Sequence, residues 1–265
     1  QKLTGMAGVS NIGTDRNWTG HPFGQANWYA FGRLAWDPYL GSAQIADEWV
    51  KMTFTRNHSF VEPVKKMMLE SREVCVNYMT PLGLHHIMAA GHHHGPGPWV
   101  EGRRPDWTAI YYHRASSDSI GFNRSSTGSN AVGQYHQPVA ELFDNIETCP
   151  EEYLLWFHRV PWDYRVKSGN TLWDEMATQY QKGVDEVRNM QQTWYSLKDF
   201  VDSERFSYVE SLLGIQEKEA VWWRNACLLY LQTFSKMAIP GHVEQSDKTL
   251  EYYRGINELY MPGHH

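Results

Sequence analysis

The clearest pattern lies in the last third of the chain. Leu172, Met176, Tyr180, Val184, Val187, Met190, Trp194 and Leu197 recur at helical spacing and keep one apolar face over residues 171–201. Asp202 then stands where a cap belongs. A second face follows through Phe206, Val209, Leu213, Ala220, Trp223, Cys227, Tyr230 and Phe234, so the two helices are expected to form an antiparallel hairpin. Glu and Lys occupy the opposite faces, as on a solvated surface. Residues 248–259 read as a last short helix.

Towards the start, residues 6–12 (MAGVSNI) read as a short buried strand, small and apolar on both faces. A Gly- and Asn-rich loop covers residues 13–24, and residues 25–36 (QANWYAFGRLAW) have helical periodicity. Asp37-Pro38 ends that helix, because the residue before proline is pushed out of helical geometry. Strand, polar loop and helix make one βα unit, which needs neighbouring strands on both sides. Helices are expected next at 42–54, capped by Ser42, and at 59–78, opened by a Ser59/Glu62 capping box with Pro63 in the first turn. Residues 80–128 lose all periodicity. Residues 129–143 return to helix with a kink or break at Pro138, and Thr148 with Glu151 forms a capping box for a helix to residue 160. A stretch of about fifty irregular residues inside a compact domain is usually functional.

Composition narrows the reading. The 265 residues carry a net charge of −6 and show no basic stripe, which argues against a nucleic-acid surface. No apolar run reaches the length of a membrane span. Cys75, Cys149 and Cys227 are odd in number and far apart, so no disulfide framework is expected. Twelve Trp and fifteen Tyr are many, and such rings either fill a core or stack on sugars. Asn17, Asn57 and Asn123 each begin an Asn-X-Ser/Thr tripeptide, a pattern short enough to arise by chance. There is no signal peptide, and Gln1-Lys2-Leu3 runs without an initiating Met into the strand-like segment, as the interior of a longer chain would.

Three clusters could carry chemistry. The loop after the strand holds Asn11, Gly13, Asp15, Arg16, Asn17, Trp18 and His21. At the C-terminal end of a barrel strand these side chains could bind a polar ligand. They could equally be a loop held by its own Asx turns. His85-His86 and His92-His93-His94 place five histidines within ten residues. Adjacent side chains of an extended chain point to opposite faces, and zinc motifs separate their ligands, so no metal is expected there. The Gly-Pro-Gly-Pro that follows would instead shape a loop presenting Trp99. The third cluster is Arg103-Arg104-Pro105-Asp106-Trp107, continuing into Tyr111-Tyr112-His113-Arg114. Arg forks pair bidentately with a carboxylate and Trp covers the apolar face of a pyranose, which suits an acidic sugar. A packed Arg–Asp–Trp cluster is the other reading. Asp15, Glu101, Asp106 and Asp118 are loop acids, but nothing in the sequence pairs two of them across a bond as glycoside hydrolysis requires. Nucleophile-elbow and nucleotide motifs are missing.

Long strings resemble one family. They are GMAGVSNIGTDRNWTGH at 5–21, QANWYAFGRLAW at 25–36, YMTPLGLHH at 78–86, HHGPGPW at 93–99, YHRA at 112–115, and GF at 121–122 with TGSNAV at 127–132. All are similar to the α-glucuronidases of glycoside hydrolase family 67, and the similarity covers essentially the whole chain. The resemblance implies hydrolysis of terminal glucuronic acid or its 4-O-methyl form from xylo-oligosaccharides with inversion, and no metal or organic cofactor. It implies a mainly α fold, with residues 1–40 as the last βα unit of a (β/α)8 barrel and residues 41–265 as the helical C-terminal domain. The implied partners are the remainder of the enzyme (N-terminal domain and barrel) and a second copy in a homodimer.

The family's catalytic carboxylates belong to earlier barrel strands and map onto no residue here, so the chain by itself is expected to be inactive. A substrate-lining role carries over to Trp107 first and Trp99 second, with Arg104 beside them. The loop with Asp15, Asn17, Trp18 and His21 would border the pocket. A stand-alone acidic-sugar binding or dimerisation module is the alternative, and a histidine-based metal protein a third. Secreted, periplasmic and cytoplasmic locations all remain open.

Overall fold

The computed structural model describes residues 5–10, 12–90 and 95–256. Over these the chain is mainly helical. The helices are α1 (Gly24–Trp36), α2 (Ser42–Thr53), α3 (His58–Met79), α4 (Ala109–His113), α5 (Gln137–Asp144), α6 (Leu154–Phe157), α7 (Leu172–Ser196), α8 (Ser203–Ser235) and α9 (Leu250–Arg254). Two short strands, β1 (Ser119–Ile120) and β2 (Val160–Pro161), pair antiparallel with Ile120 opposite Val160. The chain forms two compact units. One comprises residues 1–73 with 186–217, the other 74–185 with 218–265, so α3, α7 and α8 contribute residues to both.

The first unit has an aromatic core. Trp49, Val50, Phe60, Val61, Val64, Met67, Trp194, Leu197, Phe206, Val209 and Leu213 are buried together. Trp194 stacks on Phe206 with centroids 5.9 Å apart and planes 9° from parallel, and its indole N–H donates to the Phe206 carbonyl at 3.0 Å. A buried Trp needs such an acceptor. Arg205 N–H donates to Asp202 Oδ1 at 3.0 Å, so Asp202 caps α8 as its position predicts. Helix α1 joins α2 through Glu48, which accepts from Tyr29 Oη at 2.9 Å and Arg33 Nε at 2.8 Å.

The second unit packs Leu172, Trp173, Met176, Ala177, Tyr180, Trp223, Cys227 and Leu231, all essentially buried. Glycine allows the closest approach: a Cβ on Gly183 of α7 would sit 2.5 Å from the Tyr78 nitrogen of α3. The segment 236–256 is fastened to the helices by hydrogen bonds. Trp173 Nε1 donates to Ala238 O at 2.8 Å, buried Arg224 donates to Glu244 and Gln181 at 2.9 and 2.8 Å, and Asn225 donates to Tyr253 Oη at 2.9 Å.

Several expectations need correction. Residues 5–10 and 12 form no strand and are exposed, Val9 at 95%. A parallel strand exists only when neighbours take its N–H and C=O groups. Helix α3 is capped by Asn57, whose Oδ1 accepts the Ser59 N–H at 2.9 Å, while Glu62 pairs with Lys65 at 2.7 Å. A carboxamide two residues ahead satisfies the same orphan donor that a Ser59 box would. Ser42 is the first residue of α2 rather than its cap, which is Gly41. At Pro138 the break is what occurs: a 3-10 turn at Ala131–Gln134 precedes it, and Pro138 sits in the first turn of α5, where a missing N–H costs nothing. Thr148 Oγ1 donates to the carbonyls of Leu142 and Asn145, and Glu151 accepts the Lys167 N–H, so no capping box forms there. The last helix is α9, five residues capped by Thr249; residues 257–259 of the expected span lie outside the described residues. The cysteines are free thiols. No described helix is long and apolar enough to cross a membrane.

Candidate functional site

The irregular stretch 80–128 builds a cleft in the second unit. An antiparallel bridge between Met88 and Pro96 closes a loop, with Gly97 N–H on Ile87 O and Ala89 N–H on Gly95 O, both 2.8 Å. A Cβ on Gly97 would meet the Ala89 Cα at 2.5 Å, so only glycine fits. His92, His93 and His94 lie outside the described residues. Among those described, no group of three His, Cys, Asp or Glu could hold a metal ion. A single 3-10 turn at Pro105–Trp107 then lifts Trp107 into solvent, where it is 66% exposed.

His86, Met88, Arg103, Asp106, Trp107 and Tyr112 line the resulting cleft of about 860 Å³. Arg104, next to these residues in sequence, is committed to Asp106. Its Nε and Nη2 donate to the two carboxylate oxygens of Asp106, each at 2.5 Å, and its guanidinium lies 5.2 Å from the Trp107 ring centre. That pairing holds the Asp106 carboxyl below, and the Arg104 guanidinium above, their ordinary pKa values. Arg103, exposed and also lining the cleft, makes no ion pair among the described residues. The cleft thus offers a flat ring, one uncommitted cation and a neutralised acid.

A second group of rings at the cleft was missed in the sequence. His86 stacks on Tyr112 at 4.2 Å, and Tyr112 stacks on Trp156 at 5.9 Å with planes 12° apart. Arg124 sits against the Trp156 ring at 3.8 Å and against Phe122 at 4.1 Å. Burial, and then the Arg124 charge, lower the His86 pKa, so the imidazole is the neutral form near pH 7. His86 and Tyr112 stood in view as part of a histidine run and a Tyr-Tyr-His-Arg string. Trp156 and Arg124, distant in sequence, gave no local signal.

The remaining candidates go elsewhere. Trp99 is half-buried, packs edge-on to Tyr230 at 6.2 Å and lies beneath Arg254 at 5.9 Å. In the first unit, Asp15 Oδ1 accepts the Asn17 N–H at 2.8 Å, the Asx turn weighed for this loop. Asp15, Asn17, Asp202, Arg205 and Tyr208 line a polar depression of about 750 Å³. Trp18 packs on Trp28 at 5.6 Å. His21 Nδ1 accepts the Phe23 N–H at 3.1 Å ahead of α1; burial lowers its pKa, and it borders a smaller, Met-lined cavity.

Comparison with known proteins decides the family. The glycosyl hydrolase family 67 C-terminus matches residues 19–244. The chain belongs to that family. Alpha-glucuronidase A of Emericella nidulans is 35% identical over 243 residues, covering 90% of this chain and 28% of the relative. Probable alpha-glucuronidase A of Aspergillus clavatus is 33% identical over 263 residues, covering 95% and 31%. Alpha-glucuronidase A of Aspergillus tubingensis is 35% identical over 228 residues, covering 84% and 26%. The chain spans less than a third of the length of these relatives. The family 67 match takes in every residue that lines the cleft, with Trp99, Arg104, Trp107 and His21, whereas Asp15, Asn17 and Trp18 precede it.

Proposed function

We propose that this chain is the C-terminal portion of an α-glucuronidase that hydrolyses terminal glucuronic acid or its 4-O-methyl form from xylo-oligosaccharides with inversion. The relatives named alpha-glucuronidase, matched over their last third or less, support the assignment. In this reading the chain supplies substrate-pocket walls and the surface of a homodimer, while the bond-breaking carboxylates belong to the rest of the enzyme. Residues 1–40 complete its (β/α)8 barrel and residues 41–265 form the helical domain. The exposed apolar side chains of Met6, Val9, Ile12, Trp36 and Tyr39 favour that division, since each waits for a neighbour to cover it.

The observation that carries the substrate class is the exposed Trp107 ring with Arg104 locked against it and Arg103 beside it. A pyranose face removing about 60 Å² of Trp107 from water is worth about 1–2 kcal/mol, or about tenfold in affinity. Trp99 is the second candidate ring of this unit, and Asp15, Asn17, Trp18 and His21 remain candidates on the first unit. No metal or cofactor takes part in this reading. The test is turnover of aldouronic acids by the 265-residue chain, alone and together with the upstream portion of a family 67 enzyme. Activity only in the mixture, reduced about tenfold in kcat/KM by Trp107→Ala, is expected. Turnover by the chain alone overturns the division of labour.

A further inference from the structure

We infer that the surface of the second unit around α5 docks a basic amphipathic helix of a partner protein. The inference is independent of the saccharide reading of the cleft. None of the eight residues of α5 is buried. Val139 and Leu142, three positions apart on it, are each 40% exposed, and Tyr135 and Tyr153 are 39% and 37% exposed. The two tyrosines stand edge-on to Phe143 of the same helix at 5.8 and 5.7 Å, which joins the four side chains into one patch. Phe143 is in turn stacked on buried Phe157 at 4.4 Å, so the rings are anchored from below. The exposed apolar surface amounts to about 300 Å², the size at which a patch on a monomer is often functional. Fixed tyrosine rings lose little entropy when a partner covers them, and they are frequent anchors of interfaces.

The charge around the patch selects the partner. Between Arg124 and Arg159 the sequence carries five acids and neither Lys nor Arg. Asp144 accepts hydrogen bonds from Ser126, and Glu151 accepts the Lys167 N–H. Glu141, Glu147 and Glu152 are exposed and make no ion pair among the described residues. Glu141 adjoins Leu142 and Glu152 adjoins Tyr153, while Thr148, next to Glu147, donates to the Leu142 carbonyl at 3.0 Å. An apolar centre with a negative rim complements an apolar face flanked by cations. Nucleic acid and anionic membranes are repelled, and a second copy placed by a two-fold axis would bring the same carboxylates together. A helix supplies apolar anchors at i, i+3 and i+4 with Lys or Arg on either side. The eight residues of α5 extend about 12 Å, which two turns of a partner helix would match. So small an area fits a transient complex, with a Kd of about 10–100 µM.

The test uses two fluorescein-labelled helical peptides, one with a leucine face flanked by lysines and one with glutamates in place of the lysines. Fluorescence anisotropy with the 265-residue chain should show the basic peptide binding at least tenfold more tightly than the acidic one. Raising salt from about 50 to about 300 mM should weaken it at least threefold. Val139→Ser with Leu142→Ser should cost about five- to tenfold, and Glu141→Lys with Glu147→Lys a similar factor, with melting temperatures unchanged because these side chains are exposed. Asp199→Lys with Glu210→Lys, an exposed pair in the first unit, should leave affinity where it is. Patch variants that bind like the parent, or an equal loss in the Asp199/Glu210 pair, overturn the inference. So does a parent chain that binds neither peptide. Loss of self-association in the Val139/Leu142 variant would name a second copy as the occupant, and loss of peptide binding on adding the upstream portion of a family 67 enzyme would name that portion; either result also overturns it.

Discussion

Arg104 grips Asp106 with two parallel hydrogen bonds, Nε to Oδ1 and Nη2 to Oδ2, and the same guanidinium covers Trp107. Such a fork is rigid because both partners are planar and the two bonds fix their mutual orientation. An arginine so engaged is a brace for the indole rather than a receptor for a ligand's carboxylate. Asp106→Asn should therefore release Arg104 and loosen Trp107. Exposed ion pairs contribute little to folding, so the melting temperature should stay where it is. Saccharide affinity should fall about three- to fivefold, and acrylamide quenching of indole fluorescence should increase. An unchanged affinity would mean that Trp107 holds its pose unaided.

Two helical glycines should answer substitution with opposite signs. Ordinarily Gly→Ala inside a helix gains about 1 kcal/mol. At Gly214 of α8 an added Cβ meets nothing within 4 Å, so Gly214→Ala should stabilise by about 0.5–1 kcal/mol. At Gly183 of α7 the same atom would stand 2.5 Å from the Tyr78 nitrogen and 3.0 Å from the Asn77 carbonyl carbon. Those are backbone atoms that cannot swing aside. Overpacking of this kind costs about 1–3 kcal/mol and exceeds the propensity gain. Gly183→Ala should lower the urea midpoint while Gly214→Ala raises it; a stabilised Gly183→Ala would show that α3 and α7 can part without loss.

Acid should weaken the fold through His113. Its ring bridges Pro98 O at 2.8 Å and the Ala115 N–H at 2.9 Å, and burial pushes its pKa down to about 4. The unfolded chain takes up this proton near pH 6.5, before the folded chain does. Stability is thus complete above about pH 6.5 and is lost as pH falls towards 4, by about 3 kcal/mol from this residue. Burial lowers His21 and His158 as well, so they act in the same direction. Glu48, held at about 2 first by its hydrogen bond from Arg33, adds its loss only below its ordinary range near 4.5. The contribution of His113 is read as the difference from His113→Gln. Urea midpoints between pH 7 and 5 should fall less steeply in the variant; equal slopes would assign the acid sensitivity to other groups.

The parts of the fold that were legible share one property: their signal is local and periodic. The buried face from Leu172 to Leu197 follows from 3.6-residue spacing, and Asp202 caps α8 because its oxygen needs only the N–H three residues on. Misreadings arose where two local solutions compete. Asn57 and Ser59 could both cap α3, and the side chain that reaches the orphan N–H is Asn57. At the cleft, Trp107 stood out as a ring among arginines, yet nothing local distinguished Arg104, bound to Asp106, from its neighbour Arg103. The rings grouped at His86 depend on Trp156 and on Arg124, whose contact crosses 32 positions of sequence and has no periodic trace.

The exposed N-terminal segment gives the last prediction. Val9 is 95% exposed and Met6 64%, while Gly8 lies so close to Trp28 that a Cβ would meet its ring at 2.9 Å. In the chain by itself Val9 touches water, so Val9→Asp should leave its melting curve unchanged, as surface substitutions generally do. If residues 6–12 join a barrel supplied by the rest of the enzyme, Val9 becomes an interior strand residue. An unpaired carboxylate buried there costs several kcal/mol. Mixing the Val9→Asp chain with the upstream portion should then yield at least tenfold less α-glucuronidase activity than mixing the parent chain. Co-purification of the two portions should weaken in parallel. Full activity and full association in the variant would place residues 6–12 outside the barrel and leave its closure to other parts of the protein.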